Sequence, residues 1–165
     1  GFIVYNERTY PNFINLLDQL GVKCQQTRMG FSVKSEIHNL EYAGHSLNGL
    51  FACRSNLFKP SFIKMLLSML RFNKKARDDL DVIDPDTTLG KYLNDNNYPD
   101  EFINNYIIPI GAAIWSTVPT DIMNIPAIFF IRFFENHGLL QIIDRPKWWV
   151  VKGGSKRYVE KMISN

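Results

Sequence analysis

The spacing of apolar and polar residues changes from segment to segment along this chain, and each change predicts an element. Residues 2–5 (FIVY) are uniformly apolar and β-favouring, the pattern of a strand covered on both faces. Residues 6–10 read as a turn. Pro11 then opens a helix in which Phe13, Ile14, Leu17 and Leu20 share one face, and Gly21 supplies its stop. Residues 31–34 and 40–43 alternate apolar with polar about a polar turn at 36–39, which predicts a β-hairpin with one wet face. Residues 44–56 are small and polar and read as loop. Pro60 and Ser61 open a long helix whose apolar stripe is Phe62, Ile63, Met65, Leu66, Met69, Leu70 and Phe72. Arg71, Lys74, Lys75 and Arg77 gather at its C-terminal end, where the helix dipole favours cations.

An acidic connector at 78–86 leads to a short helix at 88–94, and Pro99, Asp100 and Glu101 open the next one. That helix runs into residues 107–116 (IIPIGAAIWS), the stretch around which the other elements are expected to pack. It carries no formal charge and is apolar on every side, so it is expected to be buried all round. Pro109 cannot donate to the carbonyl of Asn105, which predicts either a kinked helix or two short segments meeting there. Residues 118–126 form a Pro-bounded turn, 127–134 (AIFFIRFF) a helix ended by 136–138, and 144–146 a further turn. Residues 148–151 (WWVV) are the most strand-like run of the chain. Gly153 and Gly154 follow, and Ser155 is placed to cap a final helix with Tyr158, Val159, Met162 and Ile163. These elements predict an α+β fold, mainly helical, with a small and mostly antiparallel sheet.

Length and composition narrow the reading. The chain has 165 residues, enough for one domain over 1–165, and its 45% hydrophobic and 21% charged content excludes disorder. A net charge of +3, with the cations spread along helices rather than clustered, does not indicate nucleic acid. The longest uncharged apolar run is shorter than a membrane span requires. Cys24 and Cys53 have no CxxC spacing and read as reduced thiols of a cytoplasmic protein. The chain opens at Gly1 straight into an apolar run, which leads us to expect a piece of a longer protein.

Self-sufficient catalytic chemistry is not visible. Neither GxGxxG nor GxxxxGK[ST] occurs, and His38, His45 and His137 lie far apart with no ligand spacing, so no metal site is expected. Ser116 and Ser155 lack a GxSxG setting, and the 78–86 connector lacks the glycine and glutamate of a calcium loop. The catalytic residue is left unassigned. Strand, double glycine and helix at 148–156 make a turn whose backbone can approach a ligand closely. Trp115, Phe129, Phe133 and Trp148 suit the wall of an apolar pocket and suit a core equally well.

Four blocks go further: GFIVYNERTYPNFINLLDQLGV, LGKYL, YIIPIGAAIWSTVP and FFENHGLLQIIDRPKWWVVKGGSKRYVE. Together they resemble the FAD-dependent amine-oxidase-like oxidoreductases, in particular the bacterial branch of predicted NAD/FAD-binding proteins. The resemblance implies that the chain is the substrate-binding or capping domain of such a protein, with FAD as cofactor and the missing FAD-binding domain of the same polypeptide as its partner. It implies that Phe2, Val4, Tyr5 and Asn6 pass near the flavin ring, and that Gly153 and Gly154 form the turn by which the chain re-enters the flavin domain. His137, in the NHGLL block, joins Trp115, Phe129, Phe133 and Trp148 as a candidate substrate neighbour, and the substrate is expected to be small and hydrophobic. The alternative is a non-catalytic α+β module that binds a lipid-like ligand or a protein partner through the Phe-rich helices at 62–72 and 127–134.

Overall fold

The computed structural model describes residues 4–44, 47–141 and 145–164. Phe2, most of the strand expected at 2–5, His45 and the Asp144 end of the expected 144–146 turn lie outside them. In chain order the elements are β1 (Tyr5–Asn6), α1 (Pro11–Gln19), β2 (Cys24–Thr27), β3 (Ser32–Ser35), β4 (Leu40–Ala43) and α2 (Leu47–Leu50). A 3-10 turn (Arg54–Phe58), α3 (Pro60–Asp79) and α4 (Leu89–Asp95) follow. α5 (Asp100–Phe102) passes through a π-helical turn (Ile103–Ile107) into α6 (Ile108–Trp115). α7 (Pro119–Ile122), α8 (Ala127–Asn136), β5 (Trp148–Val151) and α9 (Lys156–Ser164) complete the chain. The fold is α+β, 54% helical, with small antiparallel sheets, as the periodicity predicts.

The chain divides into two compact units, one made of residues 1–29 and 136–165, the other of 30–135. In the first, β5 is the middle strand of an antiparallel sheet ordered β1-β5-β2, with Tyr5 opposite Trp149 and Thr27 opposite Trp148. Its core is Tyr5, Leu17 and Val151, closed over by Phe13, Ile14 and Tyr158. Phe13 stands edge-on between Tyr5 and Tyr158, with ring centroids 5.3 and 5.4 Å away. β2 is a strand that the apolar pattern does not announce. Its sequence CQQT has only Cys24 and Thr27 half-buried, and its place comes from backbone pairing with β5 rather than from a hydrophobic face.

The second unit holds the hairpin β3-β4 and most of the helices. Its wet face is as expected: Val33, Leu40 and Tyr42 point inward while Ser32, Lys34 and Glu41 are exposed. Phe72 of α3 is fully buried, with the rings of Tyr92, Tyr98, Phe102 and Phe130 between 5.6 and 6.4 Å from it. Tyr92 also donates to Asp79 Oδ2 at 2.8 Å, which fastens α4 to the end of α3. Thr88 caps α4 by accepting from the Lys91 amide at 3.2 Å.

Three expectations are corrected here. Residues 44–56 are not plain loop: they carry α2 and the start of the 3-10 turn, pinned where buried Asn56 donates to the Glu41 carbonyl at 2.8 Å. Residues 118–126 contain α7, a single helical turn started by Pro119 and anchored by fully buried Ile122. Residues 107–116 are not buried all round. Ile107, Ile110 and Gly111 are, but Ala113 is exposed and Ile108, Ile114 and Trp115 are half-buried. At Pro109 the helix does adjust, through the π turn, in which the Ile108 amide donates to the carbonyl of Ile103, five residues back.

Candidate functional site

The two halves of the first unit come from opposite ends of the chain and are joined by side chains. Arg8 Nη1 donates to Gln141 Oε1 at 2.8 Å, and the Trp149 indole donates to Glu7 Oε1 at 2.8 Å. Tyr10 Oη and His137 Nε2 lie 3.1 Å apart. Tyr10 is brought there because the turn at 6–9 is held by Asn6, whose Oδ1 accepts from the amides of Arg8 and Thr9 and from the Thr9 hydroxyl, at 2.9 to 3.1 Å. Pro11 then starts α1, so the ring of Tyr10 is set by rigid elements on both sides. His137 follows the last residue of α8, and Gly138, at φ +67°, turns the chain away.

Trp148, half-buried in the central strand, lies nearly parallel to the His137 ring, 13° between planes and 6.2 Å between centroids. Tyr10 meets the same imidazole edge-on at 6.0 Å. Burial raises the Tyr10 phenol above its ordinary 10.0, so at neutral pH it is protonated and able to donate to an unprotonated Nε2. A half-buried imidazole between a phenol and an indole can hold a polar group of a ligand, or a proton, at a fixed point.

The nominated residues fall into two groups. His137 and Trp148 come together in the first unit; Trp115, Phe129 and Phe133 come together in the second. Trp115 lies 5.6 Å from Phe129 and 5.0 Å from Phe133, and Phe129 is 51% exposed, so this trio is a half-open aromatic platform. Of the residues nominated beside a flavin, Val4 is half-buried and Tyr5 and Asn6 are buried. Tyr5 packs on Phe13, and its phenol is raised above 10.0 by burial first and by Cys24 second. Asn6 turns its oxygen to the 6–9 turn, while its Nδ2 is buried with no partner.

Gly153 and Gly154 have φ of +85° and +86° and are exposed, and a side chain on Gly154 would meet open space. Within the turn the Gly154 amide donates to Val151 O, and Gly154 O accepts from the Arg157 amide. A dinucleotide cradle needs amides aimed outward at a pyrophosphate. The Gly153–Gly154 turn does not show that arrangement at Gly154, whose amide points back to Val151.

No protein-family model matches the chain, and no curated protein matches it.

Among the described residues no group of His, Cys, Asp and Glu is placed to hold a metal ion, and no helix is long and apolar enough to cross a membrane. Cys24 and Cys53 are free thiols. An open groove of about 650 Å³, lined by Asn48, Phe51, Ala52, Arg54 and Leu57, contains none of the nominated residues. Glu7, Arg8, Tyr10 and Gln141 were not singled out from sequence. The polar run ERTY ahead of Pro11 was the available signal, but partners some 130 residues away cannot be read from spacing.

Proposed function

We propose that this chain is the substrate-facing domain of an FAD-dependent oxidoreductase of the amine-oxidase-like type, acting on a small hydrophobic substrate. One observation carries the reading beyond the resemblance itself. The first and last of the resembling blocks, far apart in sequence, form a single cluster through Glu7–Trp149, Arg8–Gln141 and Tyr10–His137. Such a cluster places chemistry-bearing side chains on a rigid sheet and helix end, which is how a site is preorganised. On this reading the residues described here orient the substrate and exclude water, His137 and Tyr10 hold its polar group, and Trp148 shields one side. FAD is bound by other residues of the full-length gene product.

The test is the visible spectrum of the full-length product, purified and supplied with FAD. A flavin spectrum that bleaches with hydrophobic substrates is expected, as is a raised KM for His137→Gln and Tyr10→Phe with the spectrum unchanged. Absence of bound flavin under these conditions overturns the proposal.

A second reading, a non-catalytic module for a hydrophobic ligand, is favoured by the open platform of Trp115, Phe129 and Phe133. It predicts quenching of Trp115 fluorescence by a fatty acid in the flavin-free protein.

A further inference from the structure

From Tyr42 to Arg77 the chain carries no Asp or Glu, so every charged side chain over this span is a cation. The same span contains α3, and that helix is apolar on two opposite sides. Phe62, Met65, Phe72 and Ala76 are buried against the rest of the unit. On the far side Ile63, Leu67 and Leu70 follow one another at i, i+4 and i+7, and they are 37%, 62% and 45% exposed. Lys74 continues that line, and Lys64 and Arg71 border it. Just ahead of α3, Leu57 is 48% exposed and Phe58 88% exposed, and Leu57 shares the wall of the open groove with Arg54.

Burial in the fold does not explain this second side. An exposed leucine is ordinary, but five large apolar side chains within fourteen residues of a wholly cationic span are not scattered singly. We propose that the outer face of α3, with the turn that precedes it, is a docking surface for an anionic lipid bilayer. Helices that lie in a membrane interface combine Leu and Phe on one side with Lys and Arg at its borders. Ile63, Leu67 and Leu70 would enter the acyl boundary, Phe58 would act as the leading anchor, and Arg54 and Lys74 would meet lipid phosphates.

Partner choice follows from shape and charge. The apolar residues project from the convex side of a helix, and a bilayer takes up such projections without a matching concave surface. Several cations are already engaged: Lys64 with Glu101 at 3.0 Å, Lys75 with Asp79 at 3.0 Å and Arg77 with Glu135 at 3.0 Å, while Arg71 lies 4.3 Å from the Tyr98 ring centroid. Arg54 and Lys74 make no ion pair with any described residue, which leaves them available to an anionic surface.

The experiment is sedimentation of the protein with vesicles of phosphatidylcholine and phosphatidylserine in equal parts, beside vesicles of phosphatidylcholine alone. Binding is expected only to the anionic vesicles, and it is expected to fall steeply between about 0.1 M and 1 M salt as the Debye length shrinks from about 10 to about 3 Å. Arg54→Gln and Lys74→Gln should each weaken binding about fivefold, following the usual contribution of one cation near an anionic leaflet. Leu67→Glu, at an exposed site that the fold does not need, should abolish it, with circular dichroism confirming an intact fold. Three results overturn the proposal: no binding to anionic vesicles, equal binding to neutral ones, or a salt-insensitive self-association in ultracentrifugation that Leu67→Glu removes, which assigns the face to a second copy of the chain.

Discussion

Tyr42 donates its phenolic proton to the backbone carbonyl of Asn105 at 2.7 Å. Asn105 precedes Pro109 by four residues, so its carbonyl is the one that a proline leaves without a helical donor. The hairpin strand β4 thus completes a helix 63 residues further along the chain. The bond is buried, and the cost of losing it is that of a desolvated carbonyl left alone.

Tyr42→Phe should destabilise the protein by about 1–3 kcal/mol in urea unfolding, since it leaves that buried acceptor unpaired. Burial, and to a lesser degree Tyr106, push the Tyr42 phenol well above its ordinary 10.0. The folded state therefore holds this proton more tightly than the unfolded state does. The contribution is fully present below pH 10 and declines as pH rises above it, so the gap between wild type and variant should narrow on the alkaline side. A gap that widens above pH 10 would contradict the assignment.

Gly111→Ala tests the contact between α6 and α7. A Cβ at Gly111 would lie 2.9 Å from Ile122 Cγ2 and 3.0 Å from its Cδ1, and Ile122 is fully buried. Overpacking of this kind costs about 1–3 kcal/mol. Because the obstacle is one side chain, the double variant with Ile122→Val should recover part of the loss. Strict additivity in thermal unfolding would show that the strain lies elsewhere.

Two glycines of positive φ should differ in their tolerance. Gly154→Ala meets open space and pays only for its backbone conformation, about 1–2 kcal/mol. Gly138→Ala would in addition place its Cβ 2.4 Å from Pro146 Cδ, a ring that cannot rotate away. Its melting temperature should fall clearly further than that of Gly154→Ala.

Asn6→Ala removes an acceptor shared by the Arg8 and Thr9 amides and the Thr9 hydroxyl. A loss of about 1–3 kcal/mol is expected. The turn also carries Glu7 and Tyr10 to Trp149 and His137, so amide exchange at 7–10 should quicken before global unfolding. Unchanged exchange there would make Asn6 dispensable to the site.

Much of the architecture follows from local sequence. Pro11 and Gly21 bound α1, Pro60 opens α3, Thr88 caps α4, and the alternation at 31–43 yields the β3-β4 hairpin, because caps, prolines and periodicity act within a few residues. The fate of Pro109 was legible too: the missing donor at Asn105 follows from the covalent chemistry of proline alone. Tertiary structure decided what met that carbonyl, because a phenol from β4 arrives only once the hairpin is docked. It made CQQT a strand, because pairing with β5 stabilises backbone that has no apolar face of its own. It brought Trp115 together with Phe129 and Phe133 within one unit and His137 together with Trp148 within the other, and it set Tyr10 beside His137, since contacts between distant segments depend on packing that no spacing encodes. It also turned Ile63, Leu67 and Leu70 outward, because a helix apolar on two sides can bury only the one its neighbours cover.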